Sequence, residues 1–347
     1  GLHYVDTPAA LRADVTPRPD GLQGTVWRRN WVERQLSFAV QFSHPVQRLQ
    51  HLPPREGEKA PRLLLDFDLG PQRTLEARVA LSTVDERGAQ LNLETAAGRS
   101  FDDIRKAADA QWAELLGRIR IAGDARTKRL FYSALYRTMQ HPSEIADADG
   151  RVRGPRGEVM QAPGGVYYST MSLWDTFRAS HPLFTLIVSE RVPGFINTLL
   201  AHHRQQGWLP LWPSWGRETY CMIGNPALPV IADALIKGFS ANGAIDEEAA
   251  LAAMVETSTR ERPDAPEWAQ RSWAWLDQYG YLPFDLQKGE SVSMTAELGY
   301  GDAAGAAVAR RLGRHEVRAA GCTCSTTARA PCAARTAKAT GARPSTR

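Results

Sequence analysis

Ser100-Phe101-Asp102-Asp103-Ile104-Arg105-Lys106-Ala107-Ala108-Asp109-Ala110-Gln111-Trp112-Ala113-Glu114-Leu115-Leu116-Gly117 is where the period of the chain changes. Ile104, Ala107, Ala108, Trp112, Leu115 and Leu116 recur at helical spacing. Ser100 can cap the helix, Asp102 and Asp103 complement the positive end of its dipole, and Gly117 can end it. This predicts a linker helix within 99–124, with chain of different texture on either side.

Before it, residues 1–98 read as strands. The runs 26–32, 35–42, 63–67 and 77–82 alternate or are continuously apolar, and turn-rich gaps such as Pro53-Pro54-Arg55-Glu56-Gly57 separate them. Short strands at such spacing predict an antiparallel β-sandwich. After it, residues 125–314 read as helices at 126–140, 174–188, 190–206, 227–238, 245–258 and 302–312. Val192, Phe195, Ile196, Leu199, Leu200 and His203 form one apolar stripe, with Gly207 as its stop. Successive helices without intervening strands predict a bundle or a helical toroid. The fold class expected is mixed, β then α.

Composition restricts the function. With 347 residues, 43% hydrophobic and 23% charged, the chain can bury one large core or two. No run approaches the ~18 apolar residues of a membrane span. No basic and then apolar leader follows Gly1, so the chain is expected to begin inside a longer protein or after a removed leader. The net charge of +4 is misleading, because Arg329, Arg335, Lys338, Arg343 and Arg347 lie in a tail without acids. The body is near neutral, which argues against a nucleic-acid partner. Residues 315–347 are expected to be a disordered, out-of-frame tail. From 320 on they contain no Leu, Ile, Val, Met, Phe, Trp, Tyr, Asp or Glu. Cys322, Cys324 and Cys332 lie there, leaving Cys221 alone in the body as a small buried residue rather than a nucleophile.

Chemistry concentrates around tryptophan. Trp174, Trp208, Trp212, Trp215, Trp268, Trp273 and Trp275 crowd one part of the chain, with Trp208-Leu209-Pro210-Leu211-Trp212-Pro213-Ser214-Trp215 in one loop. Flat aromatic rings stack on sugar faces at low entropic cost, although the same rings could fill a helical core. Asp175 and Arg178 in Ser172-Leu173-Trp174-Asp175-Thr176-Phe177-Arg178, and Glu218 after the loop, put charge beside them. Asp175 could equally serve a helix dipole, and Arg178 a salt bridge. Asp147-Ala148-Asp149-Gly150 reads as a turn, since a calcium loop needs more ligands and a distal Glu. His202-His203 lacks metal spacing and reads as partly buried surface.

The ordered segments Leu130-Phe131-Tyr132-Ser133-Ala134-Leu135-Tyr136-Arg137-Thr138-Met139, Asp147-Ala148-Asp149-Gly150, Tyr167-Tyr168-Ser169-Thr170-Met171-Ser172-Leu173-Trp174-Asp175-Thr176-Phe177-Arg178, His181-Pro182-Leu183, Gly207-Trp208-Leu209-Pro210, Glu218-Thr219 with Met222-Ile223-Gly224, and Pro229-Val230-Ile231-Ala232-Asp233-Ala234 resemble glycoside hydrolase family 92. The resemblance implies a β-sandwich with an (α/α)6 toroid, here partial and incomplete. It implies calcium-dependent inverting hydrolysis of terminal α-linked mannose, α-1,2 linkages included, from a mannose-containing glycan by a secreted or periplasmic enzyme. Trp174, Asp175, Arg178, Trp215 and Glu218 would bind substrate, while Arg217 stands where Asn is expected. The family's later acidic motifs, of Glu-Gly-Asn-Ala-Trp and Asp-Asp-Cys-Gly type, are absent, so no catalytic pair and no metal ligands are assigned. The alternatives are a non-catalytic sugar-binding protein and a different toroid enzyme, such as a glucosidase or phosphorylase.

Overall fold

A computed structural model describes residues 10–29, 32–53 and 60–314. Trp31, the cysteines of the tail and the tail reading itself lie outside the described residues. The chain divides into two compact units, one of residues 1–170 with 214–217 and the other of 171–213 with 218–347.

The first unit carries the strands. β1 (Ala10–Arg18), β2 (Gly21–Arg29), β3 (Glu33–Phe42) and β6 (Ala77–Ser82) form an antiparallel sheet in the order β1-β2-β3-β6, while β4 (Val46–Leu52) and β5 (Arg62–Phe67) form a separate hairpin. Register places Thr25 opposite Ser37, and their hydroxyls bond at 2.8 Å in the buried face. The strand reading of residues 1–98 is interrupted by α1 (Glu86–Glu94), which Asp85 caps by accepting from the Gly88 N–H. Its Ala89 and Leu93 pack on Ala39 and Ala80 of the sheet. The helix lies close here because Gly88 has no side chain: a Cβ would come within 2.1 Å of Asp147 Oδ2.

The helix read at 101–117 is α2 (Phe101–Gly117), with a full capping box between Ser100 and Asp103. It lies inside the first unit and none of its residues is fully buried. Its contact with α3 (Ala125–Thr138) includes Trp112 against Tyr136, with ring centroids 4.4 Å apart. Gly117 does not stop it in a left-handed turn; Arg118 is the C-cap, in right-handed helical geometry. The Asp147–Gly150 segment is the turn expected, with Gly150 N–H donating to Asp147 O at 2.8 Å. Asp147 accepts from Ser82 and Asn92, and Asp149 pairs with Arg151.

The second unit is helical: α4 (Leu173–Thr176), α5 (Ser180–Ile187), α6 (Val192–Gln206), α7 (Ala227–Ile236), α8 (Glu247–Thr259), α9 (Glu267–Gln270), α10 (Ser272–Tyr279) and α11 (Ser291–Arg311). The helix expected over 174–188 is broken in two. Pro182 has no N–H to continue a helix through Arg178, and Ala179 takes non-helical angles ahead of α5. The helix expected at 302–312 begins at Ser291 instead, and α9 and α10 had no sequence signal strong enough to read. Apolar side chains surround α7, which buries Leu228, Val230, Ile231 and Leu235. His181 lies edge-on to Phe184 and Phe195 at 5.6 and 5.9 Å. His202 is not partly exposed surface; it is 1% exposed, facing inward on α6. His203 pairs with Glu256 at 3.0 Å. Among the described residues no single helix is long and apolar enough to cross a membrane.

Candidate functional site

The site is built on the short helix α4 and the tryptophan-rich loop that follows α6. Gly207, at φ 95°, terminates α6 in the left-handed region that glycine favours and turns the chain into Trp208. Leu209 N–H then donates to the buried Thr257 Oγ1 at 2.8 Å, anchoring the loop to α8.

Glu218 organises what comes next. Its Oε2 accepts the Leu211 N–H at 2.6 Å, and its Oε1 accepts the N–H groups of Trp212 at 3.1 Å and Tyr220 at 2.8 Å. The side chain is buried, and both oxygens are occupied by backbone. Burial pushes its carboxyl above the usual range, opposed by the three N–H donors and by the Arg262 guanidinium. Arg262 is itself buried, and burial pulls it down to about 10. It is held by Asn225 Oδ1 at 2.7 Å and Thr257 O at 2.9 Å. Glu218 therefore shapes the loop rather than presenting a carboxylate to a ligand.

Asp175 is different. The Trp212 indole N–H donates to Ser172 Oγ at 2.7 Å, and the same hydroxyl donates to Asp175 Oδ2. Asp175 is exposed on α4, and its other oxygen has no hydrogen-bond partner among the described residues. A carboxylate fixed through one oxygen and open at the other is suited to accept from ligand hydroxyls. Trp174 is half-buried beside it, with its indole N–H shielded from solvent and without an acceptor. Arg178 pairs with Glu297 and lies 4.5 Å from the Phe177 ring centroid, so its charge is already partnered.

Ser172 joins Asp175 to the loop that Glu218 holds. Trp215, the remaining expected residue, belongs to the first unit, where the Arg34 guanidinium lies 5.1 Å from its ring centroid. Sequence reasoning gave no role to Ser172, Arg262 or Glu297, and named Trp212 only as one of the clustered tryptophans. The Ser172-Leu173-Trp174-Asp175 spacing was the available signal for the serine, since hydroxyl and acid three residues apart meet at a helix start. Nothing local marks Glu297, which is 119 residues from its partner. Cys221 is half-buried, its thiol pushed up by burial and then by the nearby acids, which fits an inert thiol. Backbone strain clusters here too, with Trp215, Tyr220 and Met222 at φ 52°, 53° and 70°.

The described site is an exposed, oriented carboxylate beside tryptophan, next to an aromatic loop closed on a buried acid. The glycosyl hydrolase family 92 catalytic domain matches residues 88–322, and the chain belongs to that family. It is 28% identical over 262 residues to an uncharacterized secreted glycosidase of Arthroderma benhamiae, covering 71% of this chain and 29% of that protein. A family GH92 α-mannosidase of Bacteroides thetaiotaomicron superposes with TM-score 0.78 at 30% identity, over 88% of this chain and 42% of the other. A family GH92 inverting mannosidase of B. thetaiotaomicron VPI-5482 gives TM-score 0.75 at 28% identity, over 88% and 43%. The chain thus spans less than half the length of these relatives.

Proposed function

We propose that this chain is part of a secreted or periplasmic exo-α-mannosidase that hydrolyses terminal α-linked mannose, α-1,2 linkages foremost, with inversion at the anomeric carbon. The observation that carries this reading is Asp175, held through one oxygen by Ser172, which the Trp212 indole N–H fixes in turn, and open at the other. Two adjacent mannose hydroxyls would donate to the open oxygen while the Trp174 ring covers an apolar face of the sugar. The kinship with solved mannosidases supports mannose over other hexoses.

Inversion needs an acid for the leaving oxygen and a base for water, roughly 6.5–9.5 Å apart. Neither is assigned among the described residues: Glu218 is tied to backbone and Glu297 to Arg178. The reading places proton transfer outside these residues and gives Trp174, Asp175, Arg178, Trp215 and Glu218 to binding and shaping. A calcium ion belongs to the reading for a longer family protein. No group of three His, Cys, Asp or Glu side chains among the described residues is set to hold one, so no step is routed through it. The architecture proposed is a partial β-sandwich (1–98), a linker helix (99–124) and the first part of an (α/α)6 toroid (125–314).

The alternative is sugar binding without hydrolysis, favoured by the same commitment of Glu218 to backbone. Hydrolysis of α-1,2-mannobiose by the longer protein of which this chain is part, followed by NMR of the first anomer released, separates the two. The mannosidase reading expects β-mannose first, and at least a 100-fold loss of kcat/KM in Asp175→Asn. Mannose binding that survives Asp175→Asn unchanged would remove the observation on which both readings stand.

A further inference from the structure

The first unit contains a cleft of about 140 Å3 lined by Trp27, Arg34, Thr83, Arg153, Trp215 and Arg217. Three guanidinium groups converge on it, each fixed without being neutralised. Arg153 donates to three carbonyls, Thr83 O at 2.7 Å, Gly157 O at 2.7 Å and Val84 O at 2.5 Å. Arg217 donates to Glu33 O at 2.9 Å, and Arg34 is stacked over the Trp215 ring. Among the described residues none of the three has a carboxylate within ion-pair distance. The one acid at the cleft, Glu33, pairs with Arg29 at 2.7 Å.

Carbonyl bonds orient a guanidinium but leave its charge in place. Arg153 is pulled below its ordinary range by burial and then by the Arg217 charge, which outweigh the opposing Asp85 and Glu158 carboxylates beyond ion-pair distance, and Arg34 by burial and then by Arg28. Partly desolvated like charges held together cost stability unless an anion joins them. Planar guanidinium forks arriving from separate strands and loops match a tetrahedral oxyanion better than a single carboxylate does. The Trp215 backbone is in the left-handed region at φ 52°, and the following Gly216 N–H is tied to Ser169 Oγ at 2.8 Å. The loop is thus held in strain at the point where its indole walls the cleft.

We propose that this cleft is an anion-recognition site for a phosphorylated sugar, with phosphate oxygens on Arg34, Arg153 and Arg217 and the Trp27 and Trp215 rings as its walls. The sugar half rests on the carbohydrate reading given above; the anion half does not depend on hydrolysis.

The test is isothermal titration of the full chain with mannose 6-phosphate, inorganic phosphate, glucuronate and mannose, at constant ionic strength set with sodium chloride. Mannose 6-phosphate is expected to bind at least 10-fold more tightly than inorganic phosphate. Arg34→Gln and Arg217→Gln should each weaken it 10-fold or more. Arg34→Lys, which keeps charge but loses the fork, should fall between, and circular dichroism checks that each variant is folded. Equal binding of inorganic phosphate and mannose 6-phosphate would overturn the sugar half, and tighter glucuronate binding would overturn the phosphate. No binding beyond the chloride background, or binding indifferent to the variants, would overturn the site. Asp175→Asn is expected to leave phosphate binding intact, so failure here and failure of the mannosidase reading are told apart.

Discussion

Ser172 serves two partners with one hydroxyl, accepting from the Trp212 indole and donating to Asp175. Ser172→Ala would strand the indole N–H and free the carboxylate, an expected loss of about 1–3 kcal/mol by urea denaturation, with weakened mannose binding. Glu218→Gln would point an amide N–H₂ at backbone donors, and about 2–4 kcal/mol is expected by the same measurement. Acid sensitivity should come from histidine. His181 is held down to about 4 and His202 to about 3, both chiefly by burial, so both are neutral in the folded protein. Unfolding lets them take up protons near their ordinary value of 6.5. Their contribution is therefore complete above about 6.5 and is lost as pH falls toward about 4 for His181 and about 3 for His202. The denaturation midpoint should be lower at acid than at neutral pH, and His181→Phe should flatten that slope. At this scale the sequence was only half informative. Asp175 stood out because an acid beside tryptophan is unusual, whereas Glu218 looked the same and proved to be a backbone anchor. Exposure, which no local pattern reports, separates them.

At the scale of elements, α2 is legible and weakly anchored at once. Its N-cap serine and apolar stripe marked its limits, yet it buries no residue fully. Ser100→Ala should cost about 1 kcal/mol, appearing as faster amide exchange in 101–106 rather than as a lower global stability. In α7, by contrast, Ile231 is fully buried, and Ile231→Ala should cost about 2–5 kcal/mol globally. The misread elements have physical causes. Pro182 split a stripe that periodicity joined. Gly299 and Gly301 hid the first half of α11, because propensity disfavours glycine inside a helix; at Gly301 close packing favours it, since a Cβ would sit 3.3 Å from Asn225 O. α1 was too short to break the alternation around it.

For the molecule as a whole, the strand-then-helix order was written in the change of period after residue 100, and the family in the ordered segments. Which segments fold together was not. Residues 214–217 leave the helical unit to join the first one, an exchange that depends on contacts far apart in sequence such as Arg217 to Glu33. The helical unit exposes Leu186 at 77%, Phe284 at 70% and Val292 at 84%. Apolar exposure of that kind favours self-association, so the purified chain is expected to scatter light increasingly with concentration. Leu186→Asp with Val292→Asp should reduce it.

Because a single acid fastens positions 211, 212 and 220, the short run between them is held at its ends and unconstrained by that acid in its middle. That middle has ties of its own, Gly216 to Ser169 Oγ and Arg217 to Glu33 O, so a library seeking altered ligand preference should vary Ser214 and Trp215 and leave Gly216, Arg217 and Glu218 untouched.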